Sequence, residues 1–113
     1  MDRTAEYSAL IQRVLNEYVE LDRRCRRDSV ETLMIADETR NHYILLGLGW
    51  STEERSLYIR IYVRLIDGKF WIEDDWTEEG VATDLLAAGV PHSDIVLGFQ
   101  PPEMRPFTEF AAA

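Results

Sequence analysis

Residues 56–74 read "SLYIRIYVRLIDGKFWIED", and this run narrows the fold more than any other part of the chain. Leu57, Ile59, Ile61, Val63 and Leu65 recur every second residue, with Tyr58, Arg60, Tyr62 and Arg64 between them. That period is the side-chain period of a β-strand, so the apolar set is expected on one face and the tyrosine-arginine set on the other. Asp67-Gly68 follows at once, and both positions of a type I′ turn need positive φ, a conformation Gly tolerates best and Asp tolerates better than most residues. "KFWIED" then returns as the opposing strand. An antiparallel hairpin is therefore the seed of the fold, and whatever surrounds it must cover its apolar face.

Two further β-favouring runs precede it, Val30 to Ala36 and His42 to Trp50, and together the four runs predict an antiparallel meander. The cover is predicted upstream. In "TAEYSALIQRVLNEYVELDRR", Tyr7, Leu10, Ile11, Val14, Leu15, Tyr18 and Leu21 are spaced by three or four, which is one stripe of an α-helix. Thr4 is placed to cap its first turn, Glu6 suits the positive end of the helix dipole, and Arg23 and Arg24 suit the negative end. Downstream, Val81, Ala82, Leu85 and Leu86 form a second, shorter apolar stripe. Gly89, followed by Val90 and Pro91, supplies the stop signal. "DIVLGF" offers a short last strand, and the three prolines of "QPPEMRPFTEFAAA" predict an extended tail lying over the domain. With 113 residues and no linker or repeat, one α+β domain spanning 1–113 is expected.

Charge removes several function classes. The formal net charge is -9, from 12 Lys plus Arg against 21 Asp plus Glu. A surface this acidic repels phosphate, so direct nucleic-acid binding is disfavoured. The imbalance is uneven: residues 1–40 hold seven basic and nine acidic groups, whereas 41–113 hold five and twelve. Steering toward a basic partner would come from the second region. Cys25 is the only cysteine, which leaves no intrachain disulfide and no cysteine set for zinc. A cytoplasmic, reducing setting is expected, with no membrane span and no export signal at the N-terminus.

The segment "WIEDDWTEEG", Trp71 to Gly80, sets five carboxylates between and beside two tryptophans. Asp75 and Glu78 have capping-box spacing, which reads as a helix entrance, Asp75 accepting a backbone N–H and Glu78 reaching back. The competing reading is a divalent-ion or acid/base site in a small metal-dependent enzyme built on Glu73, Asp75 and Glu78, with Glu73 and Asp75 on one strand face. That chemistry lacks partners here. His42 and His92 are the only histidines, Lys69 the only lysine, and no Glu-x-Lys occurs. Cys25 has no nearby histidine in sequence, and "GLGW" lacks the third glycine and following helix of a nucleotide fingerprint, so Gly47 and Gly49 are read as sites of close packing or a bulge. No catalytic residue, metal ligand or cofactor is therefore expected. "RRCRR", Arg23 to Arg27, reads as a solvated helix end or a phosphate contact, and Tyr58, Tyr62, Trp71 and Trp76 as sheet packing or an interface, including a two-fold homo-oligomeric one.

The C-terminal third carries a resemblance. Asp67, Gly68, Lys69 and Trp71, then Asp75, Thr77, Glu78 and Gly80, then Gly89, Val90, Ile95, Val96, Leu97 and Phe99, then Pro102, Arg105, Thr108 and Phe110, stand as in the XisI family of fdxN element excision controlling factors. The "YSALIQRVLNEY" helix and the "YILLGLGW" strand resemble the family too. The resemblance implies the XisI-like α+β fold: an N-terminal helix on an antiparallel meander, then a second helix, a short strand and the tail. It also implies a non-catalytic role with a nuclease-fold XisH partner in site-specific excision of a DNA element during heterocyst development in cyanobacteria, or as antidote to such a partner. On that reading Glu73, Asp74 and Glu79 are the acidic partner-binding candidates, and Arg105, Thr108 and Phe110 the candidates in the tail.

Overall fold

A computed structural model of the protein describes residues 3–26 and 29–113. Helix α1 (Thr4–Cys25) is followed by strands β1 (Val30–Asp37), β2 (His42–Ser51), β3 (Glu54–Ile66) and β4 (Lys69–Asp75), helix α2 (Val81–Ala87) and strand β5 (Ile95–Leu97). The sheet order is β1-β2-β3-β4-β5. The first four strands pair antiparallel, as the alternating runs and short turns require. β5 pairs parallel to β4, because α2 carries the chain back across the sheet before it enters. The architecture is α+β, with both helices on one face of a mostly antiparallel sheet.

The periodic stripe of α1 makes the core. Tyr7, Ile11, Val14, Leu15 and Val19 are buried against Tyr43, Leu45, Ile61, Val63, Leu65, Phe70 and Ile72 of the sheet and Val81 and Leu85 of α2. At roughly 1.5 to 3 kcal/mol for each large apolar side chain buried, this packing is the chief favourable term. Leu10 and Tyr18 pack at its margin, while Leu21, in the last turn, is exposed. Arg3 rather than Thr4 is the N-cap residue, and it makes no side-chain cap bond; Thr4 is already inside the helix. Polar ties seat the first turns of α1: Ser8 Oγ and Tyr43 Oη lie 2.5 Å apart in the interior, and Tyr7 Oη donates to Asp94 at 2.5 Å, beside the Arg3–Asp94 ion pair at 2.9 Å.

The turns follow their residues. Asp67 (φ 50°) and Gly68 (φ 75°) link Ile66 to Lys69 as the type I′ signal predicts. Between β1 and β2 the Asp37 carboxylate accepts from the backbone N–H groups of Thr39 and Arg40. The Arg40 N–H above all holds that carboxyl below its ordinary value. α2 ends in a Schellman pattern: Gly89 N–H donates to Leu86 O, Val90 N–H donates to Leu85 O, and Gly89 has φ 97°. Val90 and Leu85 are both buried in the core, which supplies the apolar contact of that motif.

Two β-bulges change the alternation expected from sequence. Leu45 pairs with Ile61 but Leu46 pairs with Ile59, so Arg60 is an extra residue in β3. Ile61, Val63 and Leu65 therefore face the helices, whereas Leu57 and Ile59 share the opposite, outer face with Leu46 and Leu48. The expectation of one continuous apolar face from Leu57 to Leu65 is corrected accordingly: an inserted residue reverses side-chain parity. Likewise Tyr62 pairs with Asp74 and Val63 with Ile72, which makes Glu73 the extra residue in β4.

Candidate functional site

The second bulge disperses the acidic stretch. Before it, Phe70 and Ile72 are buried in the core and Trp71 faces outward. At it, Glu73 turns to the outer face and pairs with Arg64 at 3.3 Å. Asp74, opposite Tyr62, also lies on the outer face, and Asp75, opposite Ile61, points to the helix side. The expectation that Glu73 and Asp75 share one strand face is thus overturned by the extra residue between them. Among the described residues, no group of three or more His, Cys, Asp or Glu side chains is placed to hold a metal ion.

Asp75 organises the helix entrance, by a route other than a capping box. Its Oδ1 accepts from the Thr77 N–H at 2.9 Å and the Thr77 hydroxyl at 2.5 Å, and its Oδ2 accepts from the Val81 N–H at 2.6 Å. α2 begins only at Val81, because Gly80 immediately before it has φ 85°, outside the helical region. Asp75 thus reaches the first helical N–H from six residues away. Glu78 is exposed and makes no reciprocal bond, so the capping-box pairing drawn from the spacing is not formed.

Glu78 and Glu79 instead stand in solvent beside Trp76, which is itself 77% exposed. A cleft between this loop and α1 is lined by Tyr18, Arg60, Trp76, Glu79 and Asp84. The Tyr18 hydroxyl donates to Asp84, tying α1 to α2. Burial, reinforced by the Asp84 carboxylate, raises the Tyr18 pKa far above the ordinary tyrosine value, so the hydroxyl remains a proton donor.

The three tail candidates all have internal partners. The Arg105 guanidinium stacks on Trp71 at 5.0 Å and donates to the carbonyls of Gln100 and Gly98. Thr108 Oγ1 donates to Arg105 O, and Phe110 stacks on His92 at 5.4 Å. Ala111 N–H donates to Ile95 O, so the tail extends the sheet beyond β5. What these side chains do first is hold the tail down, and Phe107, at 84% exposure, is the open apolar group there. Its neighbours Pro106 and Thr108 gave no sequence sign of which residue would point outward.

The remaining candidates separate. Tyr62 shares a hydrogen bond with His42 Nδ1 at 2.8 Å, and the Tyr58 ring lies in the space left by Gly47, where a Cβ would come within 2.5 Å of it. Gly49 similarly lets the backbone of Ser29 approach. These contacts account for both glycines of "GLGW". Arg23 pairs with Glu20, Arg24, Cys25 and Arg26 are exposed, and Arg27 lies outside the described residues. No described helix is long and apolar enough to cross a membrane. Sequence reasoning missed the outer-face position of Leu57 and Ile59, because the bulge that puts them there has no signal in the alternating pattern.

Comparison with known proteins extends over almost the entire chain. No curated protein matches it. Solved structures do, among them a XisI-like protein from Anabaena variabilis ATCC 29413, with 34% identity, a TM-score of 0.89 and coverage of 97% of this chain and 99% of that one, and the fdxN element excision controlling factor XisI of the same organism, with 37% identity, a TM-score of 0.81 and coverage of 99% and 100%. The family model described as XisI protein matches residues 1–112, and with these structures alike over nearly their full length at 34% and 37% identity, the chain belongs to the XisI family.

Proposed function

We propose that this protein is a non-catalytic binding module that controls excision of a DNA element, as its fdxN-element relative is named for doing, by docking on a basic, nuclease-fold partner of the XisH type. The observation that supports this reading best is the exposed indole of Trp76 flanked by Glu78 and Glu79, carboxylates that have no side-chain partner among the described residues. An aromatic anchor with an acidic rim suits a partner whose own surface is basic because it handles DNA: the indole contributes buried area, and the charges speed encounter and select the partner. Of the acidic candidates, Glu79 belongs to this ridge, Glu73 is engaged by Arg64, and Asp74, on the outer face of the sheet, lines a groove with Trp76. The tail candidates Arg105, Thr108 and Phe110 would act by presenting Phe107.

Co-expression with a XisH-type protein from the same genome, followed by light scattering on the purified mixture, tests the reading. A complex of defined stoichiometry is expected. Two folded proteins that elute separately at micromolar concentration would refute it.

A further inference from the structure

The sheet's two outermost edges are protected in part, although Ile35 of β1 stays 50% exposed. At β1 the Thr32 N–H donates to Asp22 of α1 at 3.2 Å, and Glu31 and Asp37 add charge along the strand. At β5 the edge is taken by Ala111. A further edge lies within β3. β4 reaches only as far as Asp75, opposite Ile61, and Trp76 N–H closes the Arg60 carbonyl, so residues 54–59 pair with β2 on one side and have no strand on the other, where Trp76 and Asp74 border the groove beside Leu57, Tyr58 and Ile59. Natural sheets blunt such an edge with Lys, Pro or inward charge. Here its middle is Leu57-Tyr58-Ile59, all exposed, with Leu57 at 62%.

We propose that a second copy of this chain covers that edge, the two β3 strands pairing antiparallel about a two-fold axis at Leu57 to make one continuous ten-stranded sheet. Parity sets the register of such a pairing, and charge fits a copy of the same strand. An antiparallel partner keeps outer face with outer face only if the paired residue numbers sum to an even value; pairing at Leu57 meets this, setting Leu57 against Leu57, Ser56 against Tyr58 and Arg55 against Ile59. The two exposed apolar stripes then become one. Charge also fits: Arg55 lies on the outer face, over Trp50 at 5.7 Å, and the pairing carries it to Ile59 of the second copy, beside the cleft lined by Asp74, Leu46 and Ile59. Symmetry forms that Arg55–Asp74 contact twice.

The test uses the full chain alone and does not depend on any other partner. Light scattering is expected to give twice the 13.1 kDa of one chain. A Cys25→Ser, Leu57→Cys variant is expected to form an intermolecular disulfide on mild oxidation, because opposed residues of an antiparallel pair place their Cα atoms about 4.5 to 5.5 Å apart, within disulfide reach. A cysteine at exposed Glu38 in the same background is expected to stay reduced. Arg55→Glu or Asp74→Arg should each shift the protein toward monomer at least tenfold, and the two together should restore the dimer. A monomeric native chain at micromolar concentration overturns the proposal. So does a dimer that Leu57→Cys fails to link, or one indifferent to both charge reversals.

Discussion

At the residue scale, chemical type and sequence position diverge most at Asp75. The sequence marks it as a helix cap, and it is the one carboxylate of the acidic stretch that serves backbone, but it serves Thr77 and Val81 across a loop and does without Glu78. Asp75→Ala is expected to lower stability by about 1 to 2 kcal/mol in urea unfolding, the usual effect of losing a capping acceptor. Asp75→Asn, which keeps Oδ1, should lose less, and Glu78→Gln should change nothing measurable. Tyr18 gives a prediction of a different kind. Its pKa is raised in the folded protein by burial and by Asp84, while in the unfolded chain it ionises near the ordinary 10.0. The unfolded state therefore binds fewer protons above about pH 10, so stability is full below that pH and falls as pH climbs toward the folded value. Tyr18→Phe should flatten the fall without abolishing it, since Tyr7 is raised too, chiefly by burial. Melting curves from pH 8 to 11 on both proteins would show the difference, and parallel curves would mean Tyr18 contributes nothing to it.

At the element scale, α2 is the part whose existence depends on its ends. Seven residues are too few for helix propensity to hold it, so capping and the burial of Val81 and Leu85 decide the matter. Gly89→Ala forces a Cβ into φ 97° at the C′ position and is expected to cost on the order of 1 kcal/mol, with loss of amide protection concentrated in residues 85–90. Uniform destabilisation with no local change in hydrogen exchange would contradict the Schellman reading. The strands tell the complementary story. Their order and antiparallel pairing were legible, because alternation and Asp67-Gly68 are local signals. Their faces were legible only in part. A bulge at Arg60 or Glu73 costs one residue of register and leaves no mark in a pattern of apolar letters, so Leu57 and Ile59 looked like core, and Glu73 and Asp75 looked like neighbours.

For the whole molecule, encounter with other molecules matters more than stability. The net charge of -9 is a property of composition, but its use depends on which carboxylates remain unpaired, and these include Glu78 and Glu79 beside Trp76. Glu78→Gln with Glu79→Gln should slow association with the proposed basic partner and reduce its dependence on salt, whereas Trp76→Ala should speed dissociation, at least tenfold in each case. Stopped-flow measurements at two ionic strengths separate these effects, and a double neutralisation that leaves the association rate unchanged would remove the acidic rim from the interface. The sequence by itself determined the elements, the turn between β3 and β4, the helix stripe that covers the sheet and the family, because each depends on residues near one another in the chain or on their order along it. Only the tertiary structure decided which way the carboxylates point, that Arg105 and Phe110 hold the tail, that β5 enters parallel, and that half of β3 is left without a second neighbouring strand. Those outcomes depend on strand register and on where one element stops beside another, and register is set by the packing of the sheet against α1 and α2.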